Sequence, residues 1–419
     1  MATITVANSL STRDKLLRAR AAAPRVAQLS TAEKNHALGS CASQIAANQH
    51  RILEANQRDL ESNELRASSR DRLCLNSKRL RDMLAGVEAV VSLPDPVGVV
   101  LEEWRRPNGL LIRKVRVPLG VVGVIYESRP NVTVDAAALA FKAGNAVVLR
   151  GGREAQHTNE LLAQLLAEDE GVPEGSVELL DSSSRDSVDE LMQARGLVDA
   201  LVPRGGAELI ERVVGRARVP VIETGAGNCH VYVDGAASFD MADAIVLNAK
   251  LSRPSVCNAA EKLLVDRAVA AEYVPRIAKK LLEAGVEVRG DEETRHLVDG
   301  LGVRPAALED WTAEYSALVM AVAVVGGVDE AIAHINRYST AHSDSIVTGD
   351  ERRARRFLAE VDSAVVYWNA STRFTDGGEF GFGAEMGVST QKLHCRGPFA
   401  LNELTSVKYQ VVGTGQVRS

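Results

Sequence analysis

Between residues 120 and 233, short apolar runs at 121–126, 146–149, 177–180, 200–202, 219–222 and 230–233 alternate with helical patterns such as 134–143 and 154–167. Strands separated by a helix have no tight turn through which to pair antiparallel. The alternation therefore predicts βαβ units and a parallel, twisted sheet. A second block, from Asp240 to about Tyr367, repeats the pattern with strands near 262–265, 318–325, 345–347 and 364–367. The expected fold class is α/β with two parallel-sheet domains. The longest apolar stretch, Ala317 to Val328, contains two glycines and falls short of the ~20 residues that cross a bilayer. It reads as a buried strand, and no membrane partner is expected.

The flanking segments differ. From Asn8 to about Val91 the apolar residues recur at helical spacing, with Ser30 or Thr31 and Glu33 supplying a helix start. The first thirty residues are rich in Ala, Arg and Ser, a composition shared with organelle transit peptides, although an N-terminal amphipathic helix is the plainer reading. After Pro94 and Pro96 the pattern turns to β, and Pro107-Asn108-Gly109 before 110–117 suits a hairpin. Near the C-terminus Gly377, Gly378, Gly381, Gly383 and Gly387 mark a turning or mobile loop. The strand pattern at 405–412 that follows is either a sheet edge or the partner of another subunit's strand.

A net charge of -6 and a pI near 5.9 oppose nucleic-acid binding, which needs an excess of Lys and Arg against phosphate. The five cysteines, Cys41, Cys74, Cys229, Cys257 and Cys395, are odd in number, spread out and without a C-x-x-C pair. No disulfide framework or metal site is expected, and a reducing cytoplasm fits. His230, His342 and His394 lack ligand spacing and read as structural or surface residues.

The common nucleotide-binding, zinc-protease and serine-hydrolase motifs are missing. Cys257 lies in a polar loop after Lys250 and Arg253 and just before an apolar run, surroundings that favour thiolate; a buried, inert thiol is the competing reading. Glu223 follows a predicted strand, where α/β proteins place ligands, or it caps a loop. Arg150-Gly151-Gly152 and Pro203-Arg204-Gly205-Gly206 also follow strands and combine a cation with accessible amides, which suits phosphate as well as it suits a plain turn. Residues 369–378, with Arg373 among small polar groups, read as a loop closing over a polar substrate or as a solvated loop.

Ser252-Arg253-Pro254-Ser255-Val256-Cys257-Asn258-Ala259-Ala260-Glu261 resembles the nucleophile segment of the gamma-glutamyl phosphate reductases, also called glutamate-5-semialdehyde dehydrogenases. Residues 117–127, Arg129-Pro130-Asn131-Val132-Thr133-Val134-Asp135, 223–230, 370–386 and 389–393 resemble the same family, so the likeness spans nearly the whole chain. Leu251-Ser252 departs slightly from its usual wording. This family is similar to the wider aldehyde dehydrogenases. That implies a cofactor domain (1–101 and 121–233), a catalytic domain (234–395) and a β-flap (102–120 and 396–419) that pairs with a neighbouring subunit in a homodimer or larger homo-oligomer.

The resemblance implies NADPH-dependent reduction of L-glutamyl 5-phosphate through a thioester on Cys257, in proline biosynthesis. It implies cofactor contacts from Glu314 to the nicotinamide ribose and from Arg150 to the adenosine ribose, the latter favouring NADP(H). Glu223 precedes Cys257 by 34 residues (257 minus 223), like the glutamate that activates water in oxidising relatives. A reductase working from an acyl phosphate gains nothing by admitting water, so here Glu223 is expected to orient cofactor or screen the thiolate. The backbone N–H of Cys257 and the side chain of Asn131 are expected oxyanion donors, and Arg129, Arg253 and Arg373 are expected to neutralise phosphate or carboxylate. The kinase that makes the acyl phosphate, glutamate 5-kinase, is a candidate partner. The rivals are a hydrolytic aldehyde dehydrogenase with Glu223 as base and a binding protein without turnover; the intact Cys257 loop opposes the second.

Overall fold

A computed structural model of the chain describes residues 10–65, 67–184 and 186–418. They divide into two compact units: one holds the chain up to Glu223 with 381–387 and 399 onward, the other holds 224–380 and 388–398. The expected helical start at Asn8, and the first residues of the Ala- and Arg-rich opening, lie outside the described residues.

Helices open the first unit. Ser11 and Ser30 cap Thr12–Val26 and Thr31–Ala47 through side-chain bonds to the N–H three residues on, while Asp14 and Glu33 reach back to the caps. These capping boxes satisfy amide donors that the first helical turn leaves over. β1 (Val100–Arg105) and β2 (Leu111–Pro118) form an antiparallel hairpin whose turn holds Gly109 at φ 89°, a left-handed conformation suited to glycine. The C-terminal strand Thr405–Val412 pairs antiparallel with the other side of β2, Thr405 opposite Pro118 and Val412 opposite Leu111. It is thus an edge strand paired within its own chain, and β1 and most of this strand are exposed.

β3 (Val121–Tyr126), β4 (Ala146–Arg150), β5 (Val177–Leu179) and β6 (Ala200–Arg204) make a parallel sheet in the order β5-β4-β3-β6. The chain winds outward from β3 to β5 and then returns to the far side of β3. The connections from the C-terminal ends of β3 and β6 therefore lead to opposite sides of the sheet, the switch point at which α/β sheets take ligands. The helix Pro130–Lys142 is buried along almost its whole length, as the apolar run through this segment requires. The strand expected at 219–222 is a single bridge, Leu201 to Val221, flanked by bonds from Leu201 N–H to Pro220 and from Ile222 N–H to Leu201. Pro220 has no N–H with which to extend the ladder.

The second unit is built on a seven-stranded sheet. In chain order its strands are β7 (Cys229–Val233), β8 (Ala260–Asp266), β9 (Glu287–Gly290), β10 (Arg304–Pro305), β11 (Val319–Val325), β12 (Ser343–Val347) and β13 (Val365–Trp368). They lie in the order β10-β9-β11-β8-β7-β12-β13, and every pairing is parallel. β7, which the alternation assigns to the first block, pairs with β8 and β12 instead, so the chain changes unit after Glu223 and not after Val233. β9 and β10 escape the apolar pattern because they are short and carry charge. Val231, Val233, Leu263, Val265, Met320, Val322 and Val324 from the central strands form one buried core with Tyr273 and Ile277 of the helix Arg267–Glu283.

Candidate active site

In the second unit the helix Phe239–Leu251 ends at Ser252, and Pro254 prevents its continuation. The chain then turns through Arg253–Ala259 into β8, leaving Cys257 half-buried three residues ahead of that strand. Segment 224–228 packs directly on the turn: a Cβ on Gly227 would meet the Cys257 carbonyl oxygen at 1.5 Å, so only glycine allows this approach. Asn228 pins the same segment, its N–H bonding Thr340 Oγ1 at 2.9 Å and its amide bonding the carbonyls of Trp311 and Tyr338 at 2.8 Å each. Beyond it, the thiol of buried Cys229 donates to the Cys257 carbonyl at 3.2 Å. Burial holds that thiol well above its ordinary pKa, so it stays a donor and is no rival nucleophile.

Arg373 closes over the turn. Its Nε donates to Ser252 Oγ at 2.9 Å and its Nη1 to Asn258 Oδ1, while Asn258 donates back to the Thr375 carbonyl at 2.9 Å and accepts from Thr372 Oγ1 through its own carbonyl at 2.7 Å. Burial, and then the like charge of Arg253, lower the Arg373 guanidinium from its usual value, while Cys257 acts in the opposite direction. Arg253 itself is exposed. The structure thus brings Cys257, Arg253 and Arg373 together: a thiol and two cations able to receive an anionic acyl donor. Glu314 is half-buried in the loop before β11, near enough for its charge to act on Cys229 and on buried Lys250.

The remaining candidates belong to the first unit. Ser128, with a positive φ of 37°, turns the chain out of β3, and its N–H and hydroxyl both donate to Glu154 Oε1 at 2.6 Å. Half-buried Arg129 then caps the helix that begins at Pro130. Asn131 stands exposed on its first turn, and its amide donates to Asp135 Oδ2 at 2.9 Å. Burial pushes the Asp135 carboxyl up to about 6, against the lowering effects of Asn131 and of Arg204's charge. At the end of β4, Arg150 donates to the Ser187 hydroxyl and to the carbonyls of Gly151, Ser182 and Ser184. Gly151 is enclosed, since a Cβ there would meet Asn159 at 2.2 Å and the Tyr126 ring at 3.1 Å; Gly152 is buried beside Glu154.

Pro203 is buried in β6, Arg204 is half-buried at its end, and Gly205 and Gly206 are exposed. Gly206 starts the helix Ala207–Arg216 without a side-chain cap, and its N–H donates to Glu127 Oε2 at 3.0 Å. Glu223 is half-buried where the chain leaves the Leu201 bridge. Two guanidinium groups and an uncapped helix start at the C-terminal edge of a switch-point sheet fit the phosphates of a nicotinamide dinucleotide, with Glu127 the group that must yield the Gly206 amide. Sequence reasoning missed Gly227, Cys229, Asn258, Asp135 and Glu127. All five lie inside segments that carry the resemblance, 117–127, 129–135, 223–230 and 252–261, but nothing local marks Cys229 as a neighbour of Cys257.

The model of the aldehyde dehydrogenase family matches residues 1–299 and 301–409. A gamma-glutamyl phosphate reductase of Koribacter versatilis is 63% identical over 98% of this chain and 100% of its own length, and one of Carboxydothermus hydrogenoformans is 55% identical over 96% and 98%. The crystal structure of the gamma-glutamyl phosphate reductase of Thermotoga maritima superposes with a TM-score of 0.94 at 46% identity, covering 98% of this chain and 100% of that one. The chain belongs to the gamma-glutamyl phosphate reductase family, within the aldehyde dehydrogenases.

Proposed function

We propose that the chain reduces L-glutamyl 5-phosphate to L-glutamate 5-semialdehyde with NADPH, releasing phosphate, as the second step of proline biosynthesis from glutamate. The observation that carries this reading is the half-buried Cys257 set among Arg253 and Arg373, in a chain 63% identical to a gamma-glutamyl phosphate reductase. It is accordingly an oxidoreductase.

A free carboxylate resists hydride because resonance and charge oppose attack, whereas an acyl phosphate offers an electrophilic carbon and a good leaving group. The Cys257 thiolate adds to that carbon, the carbon–oxygen bond to phosphate breaks, and a thioester forms with the leaving electron pair on phosphate. Arg253 and Arg373 neutralise the phosphate or the α-carboxylate, and the Cys257 backbone N–H and Asn131 side chain act as oxyanion donors. When bound, the nicotinamide cofactor supplies the hydride. The tetrahedral oxyanion then reforms its carbonyl, the carbon–sulfur bond breaks, and Cys257 leaves as thiolate. Arg150, Arg204 and the Gly205–Gly206 amides hold the cofactor's phosphates, Glu314 holds the nicotinamide ribose, Glu223 orients the cofactor or screens the thiolate, and Arg129 joins Arg253 and Arg373 in neutralising the substrate's phosphate or α-carboxylate. Work in the cytoplasm as a homo-oligomer joined through the flap, and receipt of the labile substrate from glutamate 5-kinase, belong to the same proposal.

The test runs the reaction backwards. NADP reduction by glutamate 5-semialdehyde should require phosphate or arsenate and vanish in Cys257→Ala. Turnover without phosphate means that water accepts the acyl group and that the hydrolytic reading, with Glu223 as base, is right.

A further inference from the structure

Three ionisable side chains near Cys257 take no part in that mechanism, although all are fully buried: Lys250, Glu261 and Lys262. Lys250 Nζ bonds Glu261 Oε2 at 2.9 Å with neither side chain exposed. A buried ion pair is seldom kept for stability, because apolar residues of the same volume fill the space at less desolvation cost. Two ammonium groups and one carboxylate also leave an excess positive charge, offset by the charge of Glu314 on Lys250 and of Asp310 on Lys262.

The cluster grips the segment that carries Glu314 on both sides. Lys262 Nζ donates to the Ala313 carbonyl at 2.7 Å and lies 4.5 Å from the Tyr315 ring centroid. Glu261 Oε1 accepts the N–H of Ser316 at 3.2 Å, and Ser316 sits at φ 50°, a conformation a serine keeps only when its surroundings hold it. Neighbours on a strand project to opposite faces, so Glu261 and Lys262 reach the segment from the two faces of β8. The Tyr315 hydroxyl is tied to Asp310 Oδ1 at 2.7 Å, and Arg289 braces that carboxylate at 2.6 Å. Between these ties lies Glu314, half-buried, its charge acting on Cys229 and Lys250.

We propose that Lys262 and Glu261 are positioning residues that clamp residues 313–316 from β8 and so present the Glu314 carboxylate to the cofactor; this rests on the reading that Glu314 holds the nicotinamide ribose. Burial pulls the Lys262 ammonium down to about 8, so the clamp slackens when the group loses its proton in mildly alkaline solution. The titratable groups that act on it from the packed elements are Glu261, Lys250, Asp310, Cys229 and His334.

The experiment is a double-mutant cycle read by fluorescence titration with NADPH, with iodoacetamide alkylation of Cys257 reporting an intact nucleophile. Glu314→Gln should raise the NADPH Kd at least tenfold. Lys262→Met should raise it about tenfold in the parent and less than twofold in the Glu314→Gln background, with the alkylation rate unchanged. Glu261→Gln, which changes no volume, serves as the second variant if Lys262→Met does not fold, and should show the same non-additivity with a smaller, roughly threefold, effect. If Glu314→Gln binds NADPH as the parent does, the cofactor role of Glu314 fails and the clamp has no target. If Glu314→Gln is weak but Lys262→Met and Glu261→Gln bind normally, or weaken binding equally in both backgrounds, the clamp alone is overturned.

Discussion

The thiol of Cys229 donates to the backbone carbonyl of Cys257 across 3.2 Å, so one cysteine fixes the main chain that presents the other. Burial keeps Cys229 protonated through the neutral range. A hydrogen bond of this kind contributes about 1 kcal/mol, equivalent to roughly a fivefold change in rate if it is felt in the transition state. Cys229→Ala is expected to lower kcat about five- to tenfold with little change in cofactor KM, and Cys229→Ser, which restores a donor, to recover most of it. Steady-state kinetics decide: a variant with unaltered kcat shows that the bond positions nothing.

Asp135 sets a pH dependence of stability. Its folded value of about 6 lies above the ordinary 3.8, so between those values the fold keeps a proton the unfolded chain has lost. Stability from this group is therefore full below about pH 4 and falls as pH rises through 6, by at most about 3 kcal/mol. Asp135→Asn should melt higher than the parent at pH 8, with the gap closing toward pH 5. It should also lose activity, because Asn131 is no longer oriented by a carboxylate. A melting difference equal at both pH values refutes the assignment.

Elements with a local signature are legible in the amino-acid sequence by itself. The strand at 405–412 alternates from Ser406 to Val411, Ser30 and Glu33 stand at capping-box spacing, and Cys257 sits in a distinctive loop. What escapes depends on partners remote in sequence. An apolar run such as 230–233 shows that a strand exists but not which sheet receives it, and β7 joins the sheet of the second unit because β8 and β12 flank it there. Glu261 and Lys262 read as ordinary charged residues until the fold brings Ala313 and Ser316 against them. At 219–222 the apolar character is genuine, but Pro220 withholds the donor a ladder needs.

Arg150 illustrates the difference between finding a residue and assigning its task. Its bonds to Ser182, Ser184 and Ser187 brace those residues, and with the bond to Gly151 they leave by count one of five guanidinium N–H groups, together with the charge, for a ligand. Arg150→Ala is expected to reduce the ratio of kcat/KM for NADPH to that for NADH about tenfold, with Arg150→Lys intermediate, since an ammonium keeps charge but not the planar fork. Equal losses with both coenzymes identify Arg150 as a brace and place the choice of coenzyme elsewhere.

The flap makes a prediction about assembly. Trp104, Ile112, Val407, Tyr409 and Val411 share one face of its three strands, with Trp104 and Tyr409 in edge-to-face contact at 6.2 Å. Tyr409 and Val411 are 59% and 55% exposed, more apolar surface than a small sheet keeps in water without a partner. A second copy of the chain is expected to cover that face. Val411→Asp would then bury a charge with no partner, at a cost of at least about 3 kcal/mol, which weakens association more than a hundredfold. Sedimentation velocity at micromolar protein should show an oligomer for the parent and smaller species for the variant, with unchanged far-UV circular dichroism because the strand is exposed within its own chain. A parent that sediments as a monomer, or a variant that assembles normally, removes the flap from the interface.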